Sequence, residues 1–197
     1  PQKGVSFQRP ESRLDLEAGG TSAMGNVGTS VLFSRFYGEH RWKVHRLSVK
    51  GRAEYGQSIV DQNGDGTIDD FERDAGFERT SQHFDFDARY DRYLSRLTSS
   101  YALAGWMNDP FTGYLQRIHA QTGLSQFVVA MDEHEVVGET GFDVARERYV
   151  PEVELDEDLV YSARGFLGWT AQVSESFEVD QSVESFLNVE DRSDMRI

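Results

Sequence analysis

Apolar and polar residues alternate with a period of two along most of this chain, and no other feature constrains its fold as strongly. The segment "RLDLEAG" sets leucine and alanine between arginine, aspartate and glutamate, and "HFDFDARYD" sets phenylalanine, alanine and tyrosine between histidine, aspartate and arginine. Side chains of a β-strand point alternately to opposite faces, whereas an α-helix repeats every 3.6 residues. Helical periodicity is almost absent, so the sequence predicts an all-β protein.

The alternating segments predict nine strands and a tenth strand that begins near Ser193. Several of them exceed ten residues, which is long for the strands of a water-soluble β-sandwich. The predicted strands cover residues 12–24, 27–37, 42–56, 79–93, 96–107, 111–129, 133–147, 157–174 and 177–190. With 197 residues, the chain is interpreted as one domain, 1–197.

The connections between the predicted strands alternate in length. Tight turns are predicted at "YGEH", "YLSR", "AMDE" and "SESF", whereas the connections at "SAMGN", 57–78, "NDP" and "VPEVELDED" are mostly longer and more acidic. Outer-membrane barrels have short periplasmic turns on one rim and longer loops on the other. The sequence therefore predicts an antiparallel up-and-down β-barrel that spans a membrane, with the insertion at 57–78 on the outer side.

The position of the apolar face has two interpretations at this stage. In a membrane barrel the apolar face contacts lipid, and the charged face lines a polar lumen. In a soluble secreted or periplasmic β-barrel, which would bind a small ligand or a partner protein, the apolar face forms the core. That alternative would bury Phe84, Phe86, Leu159, Tyr161 and Trp169.

Tryptophan and tyrosine residues tend to occur near the ends of the predicted strands. Membrane barrels carry aromatic girdles at the two interfaces, although aromatic residues also favour strands in general. The predicted girdle residues are Trp42, Trp106, Tyr37, Tyr55, Tyr93, Tyr101 and Tyr149. Trp169 departs from this pattern because it lies within a predicted strand.

The overall charge and the absence of cysteine exclude several classes of function. The net charge of −14 argues against binding to nucleic acid or to anionic lipid headgroups. The chain has no cysteine, which excludes disulfides and thiolate chemistry. No apolar run approaches the 18 residues that a transmembrane helix needs.

The segment "DQNGDGTIDDFE", residues 61–72, has the spacing of a calcium-binding loop. The pattern needs oxygen ligands at positions one, three, five, seven, nine and twelve, with glycine at the sharp turn after position five. Gly66 occupies that turn, and the predicted ligands of Ca²⁺ are Asp61, Asn63, Asp65, Thr67, Asp69 and Glu72. The alternative is an acidic, glycine-rich surface loop that binds no metal.

The residues that flank this loop do not match a helix–loop–helix pair. Asp69 to Ala75 predict one or two helical turns that end at Gly76, but "LSVKGRAEYGQSIV" upstream has no helical pattern. No second copy of the loop occurs in the chain. We therefore expect a structural calcium site rather than a switch, with a dissociation constant on the order of 10⁻⁴ to 10⁻³ M.

Several segments resemble a known family of bacterial outer-membrane barrels. "LDLEAGGTSAMGNVGTSVLFSRFYGEHRWKVHRLSVKGRAEY", "RYDRYLSRLTSSYALAGWMNDPF" and "GLSQFVVAMDEHEVVGETGFDVARERY" are similar to successive strands of the salt-stress-induced outer-membrane protein family, whose function is undefined. The resemblance implies an outer-membrane location, contact with outer-membrane lipid, and a structural or envelope-adaptive role or a narrow channel.

Two segments depart from the pattern of that family. The insertion at 57–78 is not expected in it, and the chain ends in "EDRSDMRI" rather than on a strand with a terminal aromatic residue. By the family pattern, two or three further strands would follow. We therefore expect a barrel of about 10–12 strands whose last strands are missing from this sequence.

Enzymatic activity is not predicted. The five histidines have no paired metal-binding spacing, and pairs such as His119/Ser125 and His83/Ser81 are weak candidates for a lipid hydrolase because every β protein offers similar pairs. The inward charges are expected to pair with one another instead. The predicted pairs combine the acids Asp85, Asp87, Asp91 and Glu139 with Arg52, Arg89 and Arg164.

Overall fold

The computed structural model describes residues 10–23, 28–61, 68–131, 133–151, 157–174, 177–190 and 195–196. The strands are β1 (Glu11–Ala23), β2 (Thr29–Trp42), β3 (His45–Ser58), β4 (Glu78–Tyr93), β5 (Thr98–Asp109), β6 (Tyr114–Ala130), β7 (His134–Tyr149), β8 (Glu157–Ser174), β9 (Phe177–Asn188) and β10 (Met195–Arg196). One α-helix, α1 (Asp70–Ala75), and a 3₁₀ turn, Pro110–Thr112, interrupt them. None of the described helices is long and apolar enough to cross a membrane.

All ten strands belong to one antiparallel sheet in which each strand pairs with its neighbours in sequence. The up-and-down order matches the predicted topology, and the all-β prediction is confirmed. The sheet forms a half-barrel: within the part of the chain described, its outer strands β1 and β10 are not paired with each other. Nine of the strands have 12 to 18 residues, whereas β10 has two.

The connections fall into two groups at opposite rims of the sheet. The turn rim has the short connections 43–44, 94–97, 131–133 and 175–176. The loop rim has 24–28, 59–77, 110–113, 150–156 and 189–194, and α1 belongs to the longest of these. The alternation of short and longer connections is as predicted.

The predicted turn at "YGEH" is wrong. Strand β2 continues to Trp42, which pairs with His45, and the reversal occurs at Lys43–Val44. Lys43 has a positive φ of 48°, in the left-handed region that a two-residue hairpin turn requires. Gly38 lies inside the strand instead, where the side chain of Val49 covers it. Glycine often indicates a turn in a sequence. Here the missing side chain of Gly38 leaves room for the side chain of Val49 on the neighbouring strand.

One face of the sheet is charged and the other is apolar. The charged side chains are the buried ones and the large apolar side chains are exposed, which is the reverse of the burial in a soluble protein. Asp91 and Glu147 on one face are completely buried, with exposed fractions of 0 %, whereas Leu16 and Phe142 on the other are 75 % and 67 % exposed. The charged face lines a partly open cavity of about 510 Å³, with residues from β2 to β9 around it. We call the charged side of the sheet the inner face and the apolar side the outer face.

The structure does not bury the apolar residues that the soluble alternative would place in a core. Phe86, Leu159, Tyr161 and Trp169 are exposed on the outer face, and Phe84 is half-buried. Sequence alternation is compatible with either curvature of the sheet, and the curvature seen here turns the charges inward.

Candidate functional site

The centre of the inner face is organised around Tyr101. The strand register aligns Tyr101 of β5 with Gly123, Gly141 and Arg164 on β6, β7 and β8. The tyrosine ring lies over the two glycines: a Cβ atom on Gly123 would lie 2.9 Å from Cε1, and one on Gly141 2.7 Å from the hydroxyl oxygen. Arg164 Nη1 donates to that oxygen at 2.8 Å. One side chain thus reaches across three neighbouring strands because the glycines leave room for it.

Two arginines and one glutamate enclose this tyrosine. The guanidinium of Arg89 lies 4.4 Å from the centre of the Tyr101 ring, and that of Arg164 lies 5.6 Å away. Glu139 accepts from Arg89 Nη2 at 2.6 Å through one oxygen, and from Arg164 Nη1 at 2.7 Å through the other. We call Arg89, Tyr101, Glu139 and Arg164 the central cluster. It joins β4, β5, β7 and β8 across the inner face.

Further ion pairs extend the central cluster in both directions. Arg89 also binds Asp91 at 2.9 Å, and Asp91 binds Arg46 of β3 at 3.0 Å. On the other side, Arg164 Nε donates to Glu184 of β9. A continuous series of ion pairs therefore runs from β3 to β9, and because its members are largely buried, each charge depends on its partners.

Two histidines on the inner face each bridge two aspartates. His83 contacts Asp109 at 2.7 Å and Asp85 at 2.8 Å. His119 Nε2 lies 3.1 Å from Asp87, and its Nδ1 lies 3.4 Å from Asp143. An ionised carboxylate only accepts hydrogen bonds, so the aspartates that are hydrogen-bonded to the two rings act as the acceptors, and Nδ1 of His119 also contacts the Gln121 side-chain amide at 3.3 Å.

The predicted pairing of inward acids with arginines is confirmed for Asp85, Asp91 and Glu139, but not for Asp87. Asp85 lies 3.3 Å from Arg52, and Asp91 and Glu139 bind the arginines of the central cluster. Asp87 instead binds Lys50 of β3 at 3.1 Å. Asp143 and Glu147 were also missed, although their place in the alternation of β7 marks them as inward.

The two His/Ser pairs considered for hydrolysis are not brought together as catalytic pairs. Both ring nitrogens of His83 and of His119 contact aspartates, as described above. Ser125 lies buried on the inner face, and Ser81 lies beside Gly56. The expectation that the protein is not an enzyme stays a prediction.

The calcium-type loop is described in part. Asn63, Asp65 and Thr67 lie outside the described residues, whereas Asp61, Asp69 and Glu72 lie within them. No three His, Asp or Glu side chains of the described ranges form a group that could hold a metal ion, but those ranges exclude three of the six predicted ligands. The calcium assignment stays a prediction.

The last positions of this loop form the start of α1. Asp69 is the N-cap: its side chain accepts from the Glu72 backbone N–H at 2.9 Å, and Glu72 accepts from the Asp69 N–H at 3.1 Å. This reciprocal pair is a capping box. The helix ends at Gly76, whose φ of 85° favours glycine, and no helix precedes the loop because β3 extends to Ser58. The predicted short helix is confirmed.

The aromatic residues divide between the two faces. Trp42 stacks between His40 and His45 at the turn rim, with ring centres 5.4 and 5.5 Å apart, and Trp169 stacks on His134. Tyr55, Trp106 and Tyr161 are exposed on the outer face nearer the loop rim. These positions agree with an outward aromatic girdle at each rim.

Four of the predicted girdle tyrosines face inward instead. Tyr93 and Tyr101 are buried, and Tyr37 and Tyr149 donate to Glu39 and Glu147. The prediction is wrong for all four because the phase of a strand, not closeness to its end, decides which face a side chain lies on. The position of each tyrosine differs by an even number from that of an inward charge on the same strand. Residues at even spacing lie on the same face of a strand, so this spacing would have placed the four tyrosines on the inner face.

A protein-family model described as "Protein of unknown function, DUF481" matches residues 16–197, from the middle of β1 onward. No curated protein matches the chain, and no solved structure matches it.

Proposed function

The chain belongs to the DUF481 family of proteins of unknown function, and from its own structure we propose that it is a bilayer-spanning β-barrel of the bacterial outer membrane. Its lumen is closed by its own charged side chains, and a calcium-stabilised loop lies on the outer side. The observation that carries the proposal is the reversed burial, with paired charges inside and large apolar side chains outside. The resemblance to the salt-stress-induced family supports the same location.

The dimensions of the outer face suit a bilayer. Strands of 12 to 18 residues exceed the roughly 9–11 residues that a tilted strand needs to cross the hydrocarbon layer. Its middle carries apolar residues such as Phe86, Phe142 and Leu167, whereas Arg92 lies near the turn rim and Arg146 near the loop rim. In lipid, the edges β1 and β10 must also find partner strands, because unpaired backbone groups cost several kcal/mol each.

The inner face favours a structural role over that of a wide pore. The central cluster connects strands that are not neighbours in the sheet, and the histidine bridges occupy the space next to it. A barrel of about ten to twelve strands is narrow, and these side chains restrict its interior to the cavity of about 510 Å³ that they line. We infer an envelope-supporting protein or, at most, a narrow channel for small ions.

Brominated lipids test the proposal without labels, because all three tryptophans lie on the outer face. We expect the fluorescence of Trp42, Trp106 and Trp169 to fall in vesicles of brominated phosphatidylcholine relative to unbrominated vesicles, because bromine quenches on contact. The folded protein should also migrate differently on a gel before and after boiling. Equal fluorescence in both lipids, with a monodisperse protein in detergent-free buffer, would overturn the proposal in favour of a soluble barrel.

Calcium should protect the loop 59–77 from proteolysis. We expect the unmodified protein to be cleaved there faster in chelator than in millimolar calcium, because the ion ties Asp61 to Glu72. Glu72→Gln should remove this difference, and Asp61→Asn should do the same without disturbing the capping box at α1. Asp70→Asn is the matched control because it removes a neighbouring charge at a position that supplies no ligand. Identical cleavage of the unmodified protein with and without calcium would contradict the calcium site.

A further inference from the structure

An open cavity of about 470 Å³ lies on the outer face near the loop rim. Gln82 of β4 and Asn108 of β5 line it, and their side chains have the outward phase of Phe86 and Trp106 on the same two strands. Its volume falls in the range of roughly 300–1,000 Å³ that is usual for small-molecule sites. The cavity is therefore a candidate site that is separate from the central cluster on the inner face.

The walls of this cavity are apolar and are held by hydrogen bonds. Asp109 caps the 3₁₀ turn Pro110–Thr112 with a hydrogen bond of 3.1 Å, and this turn forms one wall. Val150 donates its backbone N–H at 2.9 Å to the carbonyl of Gly113, which ends the turn, so Val150 and Pro151 form the other wall. The walls are therefore fixed by the strand ends, as in the largely preformed sites of small ligands.

A directional series of hydrogen bonds runs along the cavity. Arg79 Nη1 donates to Gln82 Oε1 at 2.5 Å, and Gln82 Nε2 donates to Asn108 Oδ1. Asn108 Nδ2 then donates to the backbone carbonyl of Leu115 at 2.5 Å. A guanidinium only donates and a carbonyl only accepts, so the two ends of the series fix the orientation of both amide groups. We call Arg79, Gln82 and Asn108 the amide ladder.

The two amides of the ladder keep hydrogen-bonding capacity for a ligand. An amide nitrogen carries two N–H donors, and within the described part of the chain Gln82 and Asn108 each use one of them. Arg79 is the only charged residue among the described residues that line the cavity, and it is exposed, so solvent screens its charge. These groups suit a neutral ligand with several hydroxyl groups better than a strongly charged one.

We propose that this cavity binds the neutral sugar headgroup of a membrane glycolipid. A sugar hydroxyl both donates and accepts, so it can pair with the remaining N–H and the oxygen of an amide. Phe111 is exposed beside the ladder, and the partial negative charge on the face of its ring attracts the C–H face of a sugar. This inference rests on the proposed function, because the loop rim of the outer face meets headgroups only if the barrel spans the bilayer.

Retention of a glycolipid tests the site. The protein is folded into phosphatidylcholine vesicles that contain a minor fraction of monoglucosyl diacylglycerol or, for comparison, of diacylglycerol without the sugar. The lipid that remains bound after detergent extraction is measured by native mass spectrometry. We expect Gln82→Leu to retain about tenfold less glycolipid than the unmodified protein, because the amide is lost at similar volume. Phe111→Ala should also retain less, and it leaves the amide ladder intact if Gln82→Leu inserts poorly.

Each variant has a matched control on the same outer face. Gln116→Leu removes another half-buried glutamine near the loop rim, and Phe177→Ala removes an exposed phenylalanine at the turn rim; neither residue lines this cavity. Both controls should retain the glycolipid as the unmodified protein does. Equal loss in the controls, or unchanged retention in both Gln82→Leu and Phe111→Ala, would overturn this inference.

Two further comparisons identify the source of the sugar and the level at which the inference fails. Millimolar methyl glucoside should not displace the glycolipid, and full displacement would overturn the assignment to a lipid-borne sugar. Failure of the unmodified protein to insert overturns the proposed function as well. Insertion with equal retention of glycolipid and diacylglycerol overturns only the sugar site.

Discussion

Replacing Arg164 with methionine should destabilise the folded protein by about 3–5 kcal/mol, the usual cost of removing one partner from a buried ion pair. The Arg164 side chain is 7 % exposed and serves Glu139, Glu184 and Tyr101 together. Methionine fills a similar volume but leaves the Tyr101 hydroxyl and one oxygen of Glu139 without the donor they have now. The measurement is urea unfolding in detergent micelles, followed by tryptophan fluorescence.

Two comparisons separate this effect from a general loss of charge. Arg35→Met removes an exposed pair on the same face, since Arg35 lies 3.8 Å from Glu17 and both side chains are well exposed. It should cost less than about 1 kcal/mol. Adding Glu184→Gln to Arg164→Met should recover part of the loss, because Glu184 pairs with Arg164 and its charge is then removed together with that partner, whereas Glu139 keeps its ion pair with Arg89. An Arg164→Met protein that unfolds at the same urea concentration as the unmodified protein would show that the central cluster does not stabilise the sheet.

Gly141→Ala should also destabilise the protein, by about 1–3 kcal/mol or more, through overpacking beneath Tyr101. The new Cβ atom would lie 2.7 Å from the tyrosine hydroxyl oxygen and 3.0 Å from Gly123 Cα, and it would also meet the carbonyl oxygen of Thr122. Two of these three atoms belong to the backbone, so rotation of a side chain cannot relieve the overlap. We expect the ring to be displaced and its hydrogen bond with Arg164 to lengthen.

Gly138→Ala on the same strand is the control for Gly141→Ala. A Cβ atom at Gly138 would meet only Val128, at an ordinary contact distance of 3.7 Å. This variant should unfold within about 0.5 kcal/mol of the unmodified protein, as is usual for surface substitutions. Equal stability of the two alanine variants in the same urea titration would contradict the close packing of Tyr101 over Gly141.

The elements of the fold were predictable because their signals are local. Period-two alternation marks each long strand, and the Asp69 cap with Gly76 marks both ends of α1. The inward pairing of Asp85, Asp91 and Glu139 with arginines also follows from strand phase. The turn after β2 was not predictable in this way, because Gly38 carries the stronger turn signal while Lys43 adopts the left-handed conformation.

The sequence by itself determined an all-β chain, its up-and-down order, the two chemically opposite faces and the ion-pair chemistry of one of them. Tertiary structure alone decided which face lies inside and which residues meet there. A period of two is the same whichever way a sheet curves, so alternation cannot assign the lumen. Contacts such as Arg89 with Glu139, 50 residues apart, depend on the register of every strand between them and on the glycines that leave room for Tyr101.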